Sequence, residues 1–259
     1  MYMATGAMRR GSCHGDTSAV GTTFGRIHEG LPPDSPWLFR VLLGSRAFLI
    51  TTIVITVVFG AVTTSNPEWL LAVDEPVSEW FRGLIEDGGF ATLVTHLGSP
   101  NLAVALGAIG VVALWRRCRA SAITLALLVA SAAVTDIVLK VIVNRPRPAN
   151  PVVATALSSF PSGHVIHVVV MFGLIPILLW TVTNSRAYLK VGFAVFGVAV
   201  VSVAVSRVAL GVHWPSDVVA SFFLGASLLL GAQSLIRSAW AADRCKTLDL
   251  HINHGISTS

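Results

Sequence analysis

Six apolar stretches, each nearly free of charge and each near the roughly 20 residues an α-helix needs to cross hydrocarbon, dominate this sequence. They run from about Val41 to Val62, Asn101 to Trp115, Ala120 to Val143, Val165 to Thr181, Ala187 to Val205 and Pro215 to Ile236. The second can begin as early as Ala91, with a break at Gly98-Ser99-Pro100. Backbone polar groups in a bilayer find no water, so such segments satisfy themselves as helices. The expected fold is all-α: a polytopic membrane protein built as a bundle of six transmembrane helices. Composition agrees, because 12% charged residues in 259 is far below the soluble average of about 25%. Residues 1–38 mix Gly, Ser, Thr, Pro and scattered charge without an apolar run, so a flexible cytoplasmic tail with no cleavable signal peptide is expected there. Residues 39–237 form one membrane domain, and residues 238–259 a second cytoplasmic tail. His251 and His254 in that tail read as solvated rather than as a metal pair.

Orientation follows from the distribution of Lys and Arg, not from the net charge of +5. With the N-terminus inside, thirteen of the eighteen basic residues fall on inner segments. Arg82, Lys140, Arg145, Arg147 and Arg207 fall outside. Both termini are therefore expected in the cytoplasm of a plasma or bacterial inner membrane. Trp37, Trp115, Trp180 and Trp240 then sit at inner ends, and Trp69, Trp80 and Trp214 at outer ends, as interfacial belts require. Between the first two spans, Val77, Trp80, Phe81, Leu84 and Ile85 recur at helical spacing, which predicts a short amphipathic outer helix. No catalytic role is assigned to the acids of that segment, Asp74 among them.

The unusual polar residues gather in three clusters between Lys140 and Asp217: Lys140 to Pro148, Phe160 to His164, and Ser206 to Asp217. Charge adjoining membrane helices is costly and points to function. Arg147 and Arg207 offer planar forks that match phosphate oxygens in pairs, and Lys140 adds a point charge. Pro161-Ser162-Gly163-His164 lies where a loop becomes an apolar helix, so the free N–H groups of that first turn face an anion. His213 precedes Asp217 by four residues, with Pro215 suited to a first helical turn. That carboxylate can hold the imidazole in one tautomer, as a nucleophile or base, while His164 serves as proton donor. The set describes a metal-free phosphoryl-transfer site requiring no cofactor, in which positioning and charge stabilisation carry the catalysis.

These residues also resemble the three-part signature of the type 2 phosphatidic acid phosphatase superfamily. Lys140, six residues and Arg147-Pro148, then Pro161-Ser162-Gly163-His164, then Ser206-Arg207, five residues, His213, three residues and Asp217 match it at every position. The resemblance implies that Lys140, Arg147, Arg207, Ser162 and Gly163 bind phosphate. It further implies that His213 attacks phosphorus to give a phosphohistidine, that Asp217 activates His213, and that His164 protonates the leaving group. Ser206, Pro148 and Pro161 are supporting positions. The soluble haloperoxidases of that superfamily are excluded by the apolar spans.

Asp136 precedes Lys140 by four residues and is expected to pair with and aim it, or else to bond a neighbouring helix. Arg145 is expected to face solvent or headgroups, His96 and His167 to be structural, and Asn144 and Asn150 to form loops. Cys13, Cys118 and Cys245 have neither metal-ligand nor disulfide spacing. The expected partner is a membrane lipid phosphate within the bilayer, with no nucleic acid. The expected reaction is hydrolysis of its terminal phosphate, a polyprenyl diphosphate, a phosphatidic acid or phosphatidylglycerophosphate, or a prenyl-phosphoryl sugar phosphate being the candidates, with a polyprenyl carrier first. A lipid phosphotransferase and a non-catalytic lipid-binding relative are the alternatives.

Overall fold

The computed structural model describes residues 46–84, 88–116, 119–153, 157–183 and 185–236. Both tails, the start of the first span at Val41, Ile85 and all three cysteines lie outside the described residues. Among the described residues there are nine α-helices, one 3-10 turn and no strand. The helices are α1 (Arg46–Ser65), α2 (Glu68–Leu84), α3 (Gly88–Thr95), α4 (Pro100–Trp115), α5 (Arg119–Val143), α6 (Gly163–Phe172), α7 (Leu174–Thr183), α8 (Arg186–Ala209) and α9 (Pro215–Ile236). The 3-10 turn, His96–Gly98, joins α3 to α4 and gives the expected break its form.

Five helical stretches are long and apolar enough to cross a membrane: α1, α3 with α4, α5, α8 and α9. The fourth expected span is a shorter apolar stretch, Gly163–Leu179, divided at Gly173 where α6 gives way to α7. A β-carbon on Gly173 would come within 2.5 Å of both Leu229 and the Val169 carbonyl, so the missing side chain lets α9 approach. The fifth helix runs beyond the expected Val205 to Ala209 and carries Arg207 in its last turn. Helix α2 is longer than the sequence pattern predicted and continues through Pro76.

The outer faces are apolar. Val57 on α1, Ile109 and Val112 on α4, Val141 on α5 and Val198 on α8 are all exposed, the reverse of a soluble bundle and the surface lipid chains require. Lipid is as apolar as the core, so burial alone does not drive helix to helix; close packing and polar bonds must. Helix α6 is enclosed accordingly. Val165 and Val169 pack on Val200 and Val203 of α8 and Val218 of α9, while Ile166 and Val170 meet Leu128 and Ala132 of α5 and Leu224 of α9. At Gly225 of α9 a β-carbon would lie 2.9 Å from Val169. Asn144, just past α5, and Asn150 take left-handed backbone (φ 45° and 52°), which agrees with their expected role as loop formers.

Candidate active site

Helices α5 and α8 end, and α6 and α9 begin, at the same end of the bundle, so all three polar clusters meet there. Side chains knit them together. Lys140 Nζ donates to the Pro161 carbonyl (3.0 Å), joining the first cluster to the second. Arg147 donates from Nε to Leu157 O (2.7 Å), from Nη2 to Ser158 O (3.1 Å) and from Nη1 to Val212 O, spanning from the loop before the second cluster to the third. Trp214 Nε1 donates to Pro146 O (2.9 Å), and the Ser162 N–H to Ser221 Oγ (2.7 Å) on α9.

The charge balance is lopsided. Lys140 and Arg207 are 8% and 7% exposed, and Arg147 is half-buried. Lys140 pairs with Asp136, as expected, and Asp136 lies against the first turn of α6: a β-carbon on Gly163 would come within 2.6 Å of its carboxylate. Arg207 has no carboxylate partner among the described residues. Its Nη1 donates to Thr95 Oγ1 (3.0 Å), while its Nε is buried without a hydrogen-bond partner. The hydroxyl of Ser162, the residue before α6, is likewise buried and unpartnered. Isolated buried charge and unmatched donors are costly unless something completes them. Cations and unused donors around a helix N-terminus make a seat for an oxyanion of more than one negative charge.

His213 is 2% exposed. Its Nδ1 lies 2.5 Å from the Ser159 carbonyl, which can only accept, so Nδ1 carries the proton and Nε2 the lone pair. Burial, then the charges of Arg207, Arg147 and Lys140, push the imidazole well below its ordinary value, so it is neutral at pH 7. Here the structure corrects the sequence reading, which gave the orienting bond to Asp217. Asp217 Oδ2 is 3.9 Å from Nδ1, beyond hydrogen-bond reach. It accepts instead from the Trp214 N–H (3.0 Å), the third residue of α9 closing back on the residue before its first turn, while Oδ1 accepts from Arg145 Nη1 (2.6 Å).

Arg145 is the second correction. Far from facing solvent or headgroups, it is 2% exposed, donates to Asn66 Oδ1, Ser216 Oγ, Asp217 and Asp74 Oδ2 (2.8 Å), and stacks 5.6 Å over the Trp214 ring. Ser206 is buried, and its hydroxyl donates to Val203 O (2.7 Å) on its own helix, α8, which carries Arg207 in its last turn. Pro148 is buried, and Pro161 acts through its carbonyl. His96 is exposed, and His167 is buried against the Gly98 backbone. His164 is half-buried in the first turn of α6. Asp74, Thr95 and Ser159 were not anticipated. For Asp74 a signal existed, since it falls three and seven residues before Val77 and Phe81, on the stripe that faces the bundle.

Fold and site together define a multi-pass helical membrane protein with a buried cationic seat for an oxyanion and a neutral histidine beside it. Comparison with known proteins agrees. The family model of the PAP2 superfamily matches residues 121–240, which include all three clusters. Phosphatidylglycerophosphatase B of Bacillus subtilis is 31% identical over 140 residues, covering 52% of this chain and 68% of that protein. Among solved structures, a transmembrane PAP2-type phosphatidylglycerolphosphate phosphatase from Bacillus subtilis superposes with a TM-score of 0.62 at 26% identity, covering 72% of this chain and 94% of that one. The chain belongs to the PAP2 superfamily and is a lipid phosphate hydrolase of the membrane-embedded type.

Proposed function

We propose that this protein removes the terminal phosphate from a lipid phosphate by way of a phosphohistidine on His213. The observation that carries the reading is the buried excess of positive charge: among the described residues Lys140, Arg147 and Arg207 have only Asp136 in direct ion pairing, and Arg207 Nε and Ser162 Oγ have no hydrogen-bond partner. Lys140, Arg147, Arg207, Ser162 and the first-turn N–H groups beginning at Gly163 grip the phosphate oxygens. The Nε2 lone pair of His213 attacks phosphorus, the bond from phosphorus to the lipid oxygen breaks, and His164 delivers a proton to that oxygen. His164 then takes a proton from water as its oxygen attacks the phosphohistidine, releasing inorganic phosphate and restoring both imidazoles. Asp217, 3.9 Å from Nδ1, supports the cation that forms on His213 by charge and by holding the turn.

Likeness in sequence and in structure to a Bacillus subtilis phosphatase named for phosphatidylglycerophosphate puts that lipid first among substrates, ahead of the polyprenyl diphosphate favoured by the sequence alone. The same reading counts six spans, with α6 and α7 together as the fourth. It puts both termini in the cytoplasm and the site on the outer face of a plasma membrane. Support comes from the basic residues. Of the five on the outer side, four belong to the buried site or its supports, leaving Arg82 as the exception to the positive-inside rule. Helix α2 then lies at the outer boundary, its Trp69, Val73 and Trp80 exposed toward the bilayer interface.

The test is the full-length protein in detergent or liposomes with phosphatidylglycerophosphate, phosphatidic acid and undecaprenyl diphosphate, measuring free phosphate and any phosphate passed to another lipid. Turnover that His213→Ala abolishes and a chelator leaves intact is expected. Retained turnover in His213→Ala removes His213 from its role, and transferred rather than free phosphate makes the protein a phosphotransferase.

A further inference from the structure

We infer that Asp74, on α2, is a positioning residue for the reaction, acting through Arg145 and Ser216 on Asp217 and His213; this rests on the function proposed above. Asp74 is 1% exposed, inside a helix whose neighbouring positions Val73 and Glu75 are exposed. Each carboxylate oxygen is committed. Oδ1 accepts from the Ser216 N–H (2.9 Å); Oδ2 accepts from Ser216 Oγ (2.5 Å) and Arg145 Nη2 (2.8 Å). Ser216 is the second residue of α9, so Asp74 supplies from a distant helix the acceptor that an N-terminal N–H of α9 lacks within its own. The turn from His213 to Asp217 is thereby pinned from both sides, by Ser159 on the imidazole and by Asp74 on the helix start.

Charge matters as much as position. One guanidinium, Arg145, bridges two fully buried carboxylates, Asp74 and Asp217. While Asp74 shares that cation, Asp217 keeps part of its negative field, and it stands 3.9 Å from the imidazole that becomes positive when phosphorus is attacked. Without the Asp74 charge, Arg145 neutralises Asp217 alone and the imidazolium loses that support. None of the phosphate-gripping cations bonds Asp74, so the anion seat is independent of it.

The experiment compares wild type, Asp74→Asn, Ser216→Ala, Asp217→Asn and the Asp74→Asn/Asp217→Asn double variant of the full chain. It measures kcat, KM and competitive inhibition by inorganic phosphate, the ground-state anion that the cations hold without attack by His213. Asp74→Asn is expected to lower kcat on the order of tenfold to a hundredfold, the effect of slight misplacement at a reacting centre, while leaving phosphate inhibition within about threefold. In the Asp217→Asn background the Asp74 change should cost clearly less than in wild type, because its route through the Asp217 charge is already gone while its hold on Ser216 remains. Wild-type kcat in Asp74→Asn, an additive double variant, or a loss of phosphate binding matching the loss of kcat would each overturn the inference. If Asp74→Asn does not fold, Ser216→Ala decides. It removes the hydroxyl shared by Asp74 and Arg145 but keeps the backbone bond, so a few-fold fall in kcat with unchanged phosphate inhibition is expected, and an unaltered kcat refutes. Wild-type turnover that His213→Ala abolishes secures the underlying reading, so failure of the Asp74 variants against that background strikes this inference alone.

Discussion

Arg207→Lys keeps the charge of the anion seat and removes its geometry. In the structure one arm of the guanidinium, Nη1, is held by Thr95 Oγ1 at 3.0 Å, while Nε is buried without a partner. Anchored in that way, Arg207 can present Nε and Nη2 together to two oxygens of one phosphate. A lysine has a single ammonium that cannot bond Thr95 and also reproduce a two-point grip. Each hydrogen bond to a charged group is worth about 1.5–3 kcal/mol, and lysine restores one of the two, so about 1.5–3 kcal/mol of transition-state stabilisation is lost. At about 1.4 kcal/mol per decade, kcat/KM should fall about 10- to 150-fold. Initial rates of phosphate release from phosphatidylglycerophosphate, taken over a range of lipid mole fractions in mixed micelles, separate kcat from KM. A variant within about threefold of wild type would refute the forked grip and leave Arg207 as a point charge.

Gly163→Ala should lower kcat/KM strongly without unfolding the protein, because its new β-carbon would lie 2.6 Å from the Asp136 carboxylate and must push that group, and Lys140 with it, off the α6 terminus; Asp136→Ala in the same background should recover part of the loss of vanadate binding. Arg145→Met leaves Asp74 and Asp217 buried without their cation and should destabilise the fold by about 3–5 kcal/mol, read as a large drop in thermal midpoint in detergent, whereas an unchanged midpoint would mean the pair carries little. Because burial and the neighbouring cations depress His213 below about 6.5 in the fold, the unfolded chain binds the extra proton first as pH falls. Stability should therefore decline below about pH 6.5 down to the folded-state value, by at most about 1.4 kcal/mol per pH unit for this residue. His213→Gln should remove that part of the slope, and equal slopes in the two proteins between pH 7.5 and 5 would contradict the assignment.

The spans were legible in the sequence because a bilayer permits so few backbone arrangements: long uncharged runs must be helices, and the sixth begins at Pro215 in sequence and structure alike. That Lys140, Arg147 and Arg207 gather at one place was legible for the opposite reason, since charge next to such helices is too costly to be incidental. Arg145 was not. It and Arg147 stand in identical Arg-Pro pairs two residues apart, and what turns one inward is Asp74, 71 positions earlier in the chain, on a helix whose acids carried no assigned role.

The orientation of His213 was misread for a different reason. A spacing of four brings side chains together only when both residues lie within one helix. Helix α9 starts at Pro215, so His213 precedes even the residue that caps it, and Asp217 is the third residue inside. A carboxylate in that position has a nearer claim on it, the N–H of the capping residue, which here is Trp214 at 3.0 Å. Its other oxygen goes to the buried guanidinium of Arg145, and the imidazole is left to the Ser159 carbonyl. His-x-x-x-Asp across a helix start thus specifies a rigid turn first and a charge at a distance second, so Asp217→Asn, whose one amide oxygen can keep the Trp214 cap only by turning its N–H groups on Arg145, should cost both turnover and thermal stability, and an unchanged thermal midpoint would show that the cap alone holds the turn.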